Sequence, residues 1–140
     1  MGAHLSGQPL EHELTGRGGR LVTTTRTAPV YRLYVLPGAV PPKPGLVRVA
    51  AEGVGIEVEV WELPVSRLGD FLLGVPSPLA VGTVELADGT RVHGFLCEAY
   101  AVAGAPDISA SGGWRAHLAA PDRARGSDGE RRPAAGPGPP

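Results

Sequence analysis

Residues 79–98 read LAVGTVELADGTRVHGFLCE. Two β-prone runs, 79–86 and 91–98, flank Ala87-Asp88-Gly89-Thr90. Asp-Gly between such runs marks a tight hairpin, because the centre of that turn needs residues that tolerate positive φ. Upstream, IEVEVWE at 56–62 alternates strictly, with Ile56, Val58 and Val60 on one side and Glu57, Glu59 and Trp61 on the other. That period of two is the pattern of a half-buried strand. Between these elements LPVSRLGDFLLG spaces Val65, Leu68 and Leu72 at helical intervals, which predicts a short helix with those three side chains inward.

The first half of the chain extends the same plan. PLEHELTG at 9–16 predicts a short helix: Pro9 suits its first position, Leu10 and Leu14 share a face, and Gly16 offers the stop. RLVTTTRT at 20–27 and PVYRLYVL at 29–36 read as strands, followed by a proline-dense loop, PGAVPPKPG, at 37–45. Such a loop has little freedom to lose on folding and makes a rigid platform for Lys43. DISASGGWRAHL predicts a turn capped by Asp107 and then a docked aromatic segment around Trp114. Two short helices among five or six strands give an α+β domain, built as a small mixed, mainly β sheet or a partly closed barrel.

One domain is expected over residues 1–120. From Pro121 to Pro140 the chain has charges, Gly, Pro and Ala but no large apolar side chain, the composition of a disordered tail. The 140 residues carry a net charge of −1, which offers nothing to nucleic acid or to a charged membrane. Cys97 is the single cysteine, so neither an internal disulfide nor a cysteine-based zinc site is expected, and no cofactor is. No apolar run is long enough to span a bilayer, and the first residues lack the regions of a signal peptide, so a soluble cytoplasmic protein is expected. The 13 cations include one lysine, Lys43.

Gly2-Ala3-His4-Leu5-Ser6-Gly7 precedes the first helix. Small residues let a backbone approach a ligand, and N–H groups at a helix start favour an anion. A histidine beside such an anion could move a proton near neutral pH; equally, His4 could belong to a frayed terminus. Glu57 and Glu59 are either an acid–base pair or, as the alternation favours, part of a charged outer sheet face. His12, His93 and His117 have no metal-ligand spacing, and Ser109-Ala110-Ser111-Gly112-Gly113 lacks a nucleophile elbow, so it reads as a turn. Lys43 is either an ordinary surface lysine or a fixed cation aimed at a carboxylate.

Five stretches, taken in order, carry a family resemblance: GAHLSGQPL at 2–10, RTAPVYRLYVLPGAVPPKPGLVRV at 26–49, IEVEVWELP at 56–64, the hairpin at 79–98, and GAPDIS with GGWRAHL between 104 and 118. Together they resemble the C-terminal domain of allophanate hydrolases over residues 2–118. The resemblance implies a fold like that of gamma-glutamyl cyclotransferases, with the Gly-Ala-His-Leu-Ser-Gly loop where those enzymes hold substrate against backbone amides. It also implies decarboxylation of N-carboxycarbamate in the last stage of urea breakdown, with His4 as the acid–base group. Gly2, Ala3, Leu5, Ser6 and Gly7 would then form the substrate loop; that Lys43 or Arg48 supplies charge to it is an inference from their positions and not part of the resemblance.

Two departures stand out. The family has an apolar strand before the loop, whereas this sequence opens at Met1-Gly2. The segment LGDFLLG, 68–74, has no carboxylate directly before Gly74, which argues against cyclotransferase activity. The Ser-Ser-Lys amidase machinery is absent from these residues. The expected partners are a small carboxylated nitrogen compound and a separate amidase, with homodimerisation as a further expectation. The alternative function is a non-catalytic docking, dimerisation or small-carboxylate-binding module.

Overall fold

The computed structural model describes residues 1–120. The tail expected at 121–140 lies outside the described residues. In order along the chain come α1 (Glu11–Thr15), β1 (Arg20–Arg26), β2 (Tyr31–Val35), β3 (Pro44–Arg48), β4 (Glu57–Glu62), α2 (Val65–Leu73), β5 (Leu79–Glu85), β6 (Arg91–Cys97) and, after two short 3-10 turns, α3 (Trp114–Ala119). The result is a small α+β structure, as expected, but its strands are not mixed. β1 pairs with β4, β2 with β3 and β5 with β6, all antiparallel. Two elements go beyond the expectation: β3, which starts inside the proline-dense loop, and α3, which forms the docked segment around Trp114.

The three ribbons close around one core of Tyr31, Leu33, Leu46, Ile56 and Val84. Burial of these side chains is the main stabilising contribution. The crossings between ribbons are tied by polar groups that the core would otherwise leave unpaired. Thr27 Oγ1 accepts from Ile56 N at 3.0 Å and donates to Ala28 O at 2.9 Å. The Tyr31 hydroxyl accepts from Glu85 N at 2.9 Å. Ser109 Oγ accepts from Leu33 N at 2.8 Å, while Asp107, the expected cap, accepts from Ser109 N at 2.9 Å. The Ser109–Gly113 segment is therefore structural, a 3-10 turn locked to β2.

The hairpin expected at 79–98 forms, with strands pairing from Leu79 opposite Cys97 to Glu85 opposite Arg91. Gly89 takes φ 85°, and Asp88 Oδ1 accepts from Thr90 N at 3.0 Å. The first helix is shorter than predicted; it ends at Thr15 with Gly16 as its cap, which keeps a right-handed conformation. The reversal comes at Gly18, φ 75°, and Gly19 then donates to Leu14 O at 2.8 Å.

α2 also differs from its expected orientation. Val65 is 87% exposed, and Leu68 and Leu72 are only half covered; Phe71 is the residue this helix buries. Leu68 and Leu72 border an open cavity rather than a close-packed core, which leaves them partly wet. The helix is pinned from its polar side by Arg17 Nε to Asp70 Oδ2 at 2.8 Å. Among the described residues no helix is long and apolar enough to cross a membrane.

Ser109→Ala removes the acceptor of a buried backbone N–H, so it is expected to destabilise the chain by about 1–3 kcal/mol, measured by urea unfolding.

Candidate functional site

The segment from Gly2 to Gly7 is a run of turns held from several directions. Ala3 and Leu5 are buried and anchor it. Leu5 N donates to Gly2 O at 3.0 Å, and Leu10 N donates to Ala3 O at 2.7 Å. Gly2 lies so close to the PPKPG loop that a Cβ there would sit 2.5 Å from Pro44 Cδ. That contact explains why a glycine stands at this position and brings the Lys43 loop beside the His4 loop.

Glu59 lies under the second half of the segment. Its carboxylate accepts from Ser6 N at 2.6 Å and from Ser6 Oγ at 2.7 Å. Arg115 of α3 donates to Ser6 O and approaches Glu59 at 3.5 Å, closing the arrangement from above. The Glu59 side chain is 2% exposed, so this face of β4 is not the charged outer surface that its alternation favours. Burial opposes ionisation of Glu59, but the Ser6 hydrogen bonds and the Arg115 charge outweigh it and hold the pKa below the usual 4.5. Trp61, two residues on, brings its buried indole N–H close to the same carboxylate without completing a hydrogen bond.

The loop therefore already binds anions of its own chain: Ser6 is taken by Glu59, and Gly7 N donates to Glu11 at 2.8 Å. Among the described residues, the amides of Gly2, Ala3 and His4 have no acceptor within hydrogen-bonding distance. Gly2 and Ala3 are buried, so these donors are the ones with capacity for a bound anion. They are not helix-start amides, because α1 begins only at Glu11.

His4 projects between its buried neighbours into a cavity of about 420 Å³, which Glu59, Trp61, Phe71, His93 and Phe95 also line. The imidazole stacks on Phe95 at 5.1 Å and meets Phe71 edge-on at 5.7 Å. Its Nε2 lies 3.2 Å from Glu13 Oε2, and only 14% of the His4 side chain is exposed. Burial lowers the His4 pKa below 6.5, with the Lys43 ammonium adding to that effect and Glu13 opposing it. At neutral pH the ring is mainly uncharged and ready to exchange a proton.

Lys43 and Arg48 are placed differently from each other. Lys43 borders a second concavity with Ser77, Pro78 and Tyr100, yet is near enough for its charge to act on His4. Arg48 pairs with Glu85 at 3.2 Å and lies over the Tyr31 ring. His93 shares the His4 cavity, whereas His12 bonds Pro9 O at 3.0 Å and His117 lies against the Trp114 ring. Among the described residues no group of three or more His, Cys, Asp or Glu converges to hold a metal ion.

Sequence reasoning missed Glu13, Arg115 and the two phenylalanines as parts of this site. Glu13 carried a faint signal in its place on the first helix after the loop. The return of α1 onto the loop, through Leu10 N and Ala3 O, is a tertiary event that no local pattern announces.

Glu59→Gln should weaken the loop's support by about 1–3 kcal/mol at pH 7. The native carboxylate's contribution is fully present above pH about 4.5 and is lost as pH falls through its lowered folded pKa. Urea unfolding at pH 7 and at pH 3 should therefore separate the two proteins at the higher pH and bring them together at the lower.

Comparison with known proteins agrees with this architecture. Residues 1–119 match the family described as the allophanate hydrolase C-terminal domain. Urea amidolyase of Saccharomyces cerevisiae is 41% identical over 122 residues, a match covering 84% of this chain and 7% of the yeast protein. The crystal structure of Kluyveromyces lactis allophanate hydrolase superposes with a TM-score of 0.81 at 40% identity, covering 84% of this chain and 20% of that one. A uropathogenic E. coli-specific protein of known structure superposes with a TM-score of 0.77 at 33% identity, and there the match covers 90% of the other chain. The chain thus spans a small part of the urea amidolyases and nearly the whole of the E. coli protein. It belongs to the allophanate hydrolase C-terminal domain family.

Proposed function

We propose that the chain acts in urea breakdown by releasing CO2 from N-carboxycarbamate, with His4 as the acid–base group and a fold of the gamma-glutamyl cyclotransferase kind. The observation that carries this reading is the placement of His4. A half-buried, ring-stacked imidazole opens into a cavity directly beside backbone amides that have no acceptor among the described residues.

In the proposed reaction one carboxylate of the intermediate is held by the amides of Gly2, Ala3 and His4, within the field of Lys43. The bond between nitrogen and the other carboxylate carbon breaks. Its electron pair stays on nitrogen, which takes the proton that His4, uncharged at rest, has first drawn from solvent. CO2 and carbamate leave, His4 is again uncharged, and the step has consumed one solvent proton overall. Leu5, Ser6 and Gly7 shape the loop rather than touch the substrate, since their amides are already engaged. Arg48, committed to Glu85, leaves Lys43 as the cation of the site. The intermediate comes from an amidase centre outside these 140 residues acting on allophanate.

The test is CO2 release from N-carboxycarbamate generated in situ by an amidase, followed with and without the chain. The chain should speed release, and His4→Ala should lose about 10²–10⁴ of that acceleration. No acceleration by the chain, or an unchanged rate with His4→Ala, would overturn the proposal.

A further inference from the structure

A histidine can move a proton in a defined direction only if one ring nitrogen is fixed and the other is left for the substrate. His4 meets that condition. Nε2 faces the Glu13 carboxylate at 3.2 Å, and among the described residues Nδ1 has no partner. Rotation of the ring is blocked on two sides, by Phe95 stacked at 5.1 Å and Phe71 edge-on at 5.7 Å. An aromatic clamp alone would leave both tautomers available; the carboxylate chooses between them.

We infer that Glu13 is a positioning residue: its carboxylate accepts the Nε2–H of His4, and Nδ1 is thereby assigned to the cavity as the nitrogen that takes and gives the proton. Glu13 is the third member of a line running from α1 through the imidazole to the reacting atom. Its role is to orient the ring and to stabilise the imidazolium that forms when Nδ1 is protonated, and it never contacts the substrate itself. The same logic of a carboxylate behind a histidine recurs in catalytic triads on unrelated folds.

The geometry also explains why the carboxylate is needed. Burial disfavours the charged ring, and the Lys43 ammonium and the chain's amino group push in the same direction. Arg17 lies with its guanidinium 5.8 Å from the Phe71 ring centre and is paired with Asp70. Glu59, across the cavity, is occupied by Ser6 and Arg115, and among the described residues Met1, with the chain's amino group, and His93 also border it. Glu13 is the one carboxylate in hydrogen-bonding contact with the His4 ring among the described residues.

The inference rests on the reading of His4 as the proton-handling group, but its test does not require turnover. Long-range ¹⁵N–¹H NMR of the imidazoles, with His4 identified by its absence from His4→Ala, reports the tautomer and the titration midpoint in the same spectra. Wild type should show the Nε2–H tautomer above its midpoint. Glu13→Gln should keep the fold, lower the midpoint and mix the tautomers, and Glu13→Ala should do the same without a replacement partner. In the CO2 assay Glu13→Gln should lower kcat by about tenfold or more with KM little changed, and move the pH limb down with the NMR midpoint.

An Nδ1–H tautomer in the wild type, or a midpoint and tautomer unmoved in both folded variants, would overturn the inference. If wild type holds the Nε2–H form and the variants lose it while no CO2 release is catalysed, the positioning role stands and the decarboxylase reading falls.

Discussion

A carboxylate taken out of water to accept two hydrogen bonds from one serine is the interaction on which the candidate site depends. Glu59 is nearly inaccessible, and an ionised group so placed is tolerated only when its lone pairs are filled. Ser6 fills them with its amide and hydroxyl, and Arg115 supplies the opposite charge. The effect is to tie the loop carrying His4 to the middle of β4 and to the last helix at once. The loop's conformation is thereby shared among parts of the chain far apart in sequence, which is what a short segment of small residues needs if it is to hold one shape.

The division of labour within the loop follows from that tie. Its second half spends its amides on Glu59 and Glu11, and its first half packs Gly2 against Pro44. What remains is a short stretch of backbone whose donors face no acceptor among the described residues, with the imidazole of His4 alongside. A loop that bound anions along its whole length would be less selective. Here the protein's own carboxylates occupy one end and leave capacity at the other, and the ring-stacking of Phe95 and Phe71 fixes where the imidazole stands relative to it.

Much of the fold was legible because its signals are local. The Asp88-Gly89 turn, the alternation of 56–62 and the β-prone run before Leu36 each name their element without reference to anything distant. The failures share a cause. Alternation along β4 says which side chains share a face but not what covers that face, so Glu59 read as solvated although a loop and α3 lie over it. β3 was hidden because Pro44 and Gly45 look like loop residues; the strand forms because Gly45 lies against Cys97 and Leu36, where a Cβ would come within 2.9 Å of each. In α2 the spacing of Val65, Leu68 and Leu72 was right for a helix, but Phe71 supplies the anchoring contact. His4 was visible through family resemblance, whereas its partner Glu13 became visible only once α1 was folded back over the loop.

In the proposed function the amides of Gly2, Ala3 and His4 hold a carboxylate beside the His4 ring. Malonate, a stable dianion with a methylene where N-carboxycarbamate has nitrogen, probes that claim without chemistry. Titrated into the ¹⁵N-labelled chain, it should shift the amide signals of these three residues and the His4 ring signals together, saturably and with one dissociation constant. Saturating malonate that leaves those signals in place, or moves only those of exposed arginines, would contradict the account.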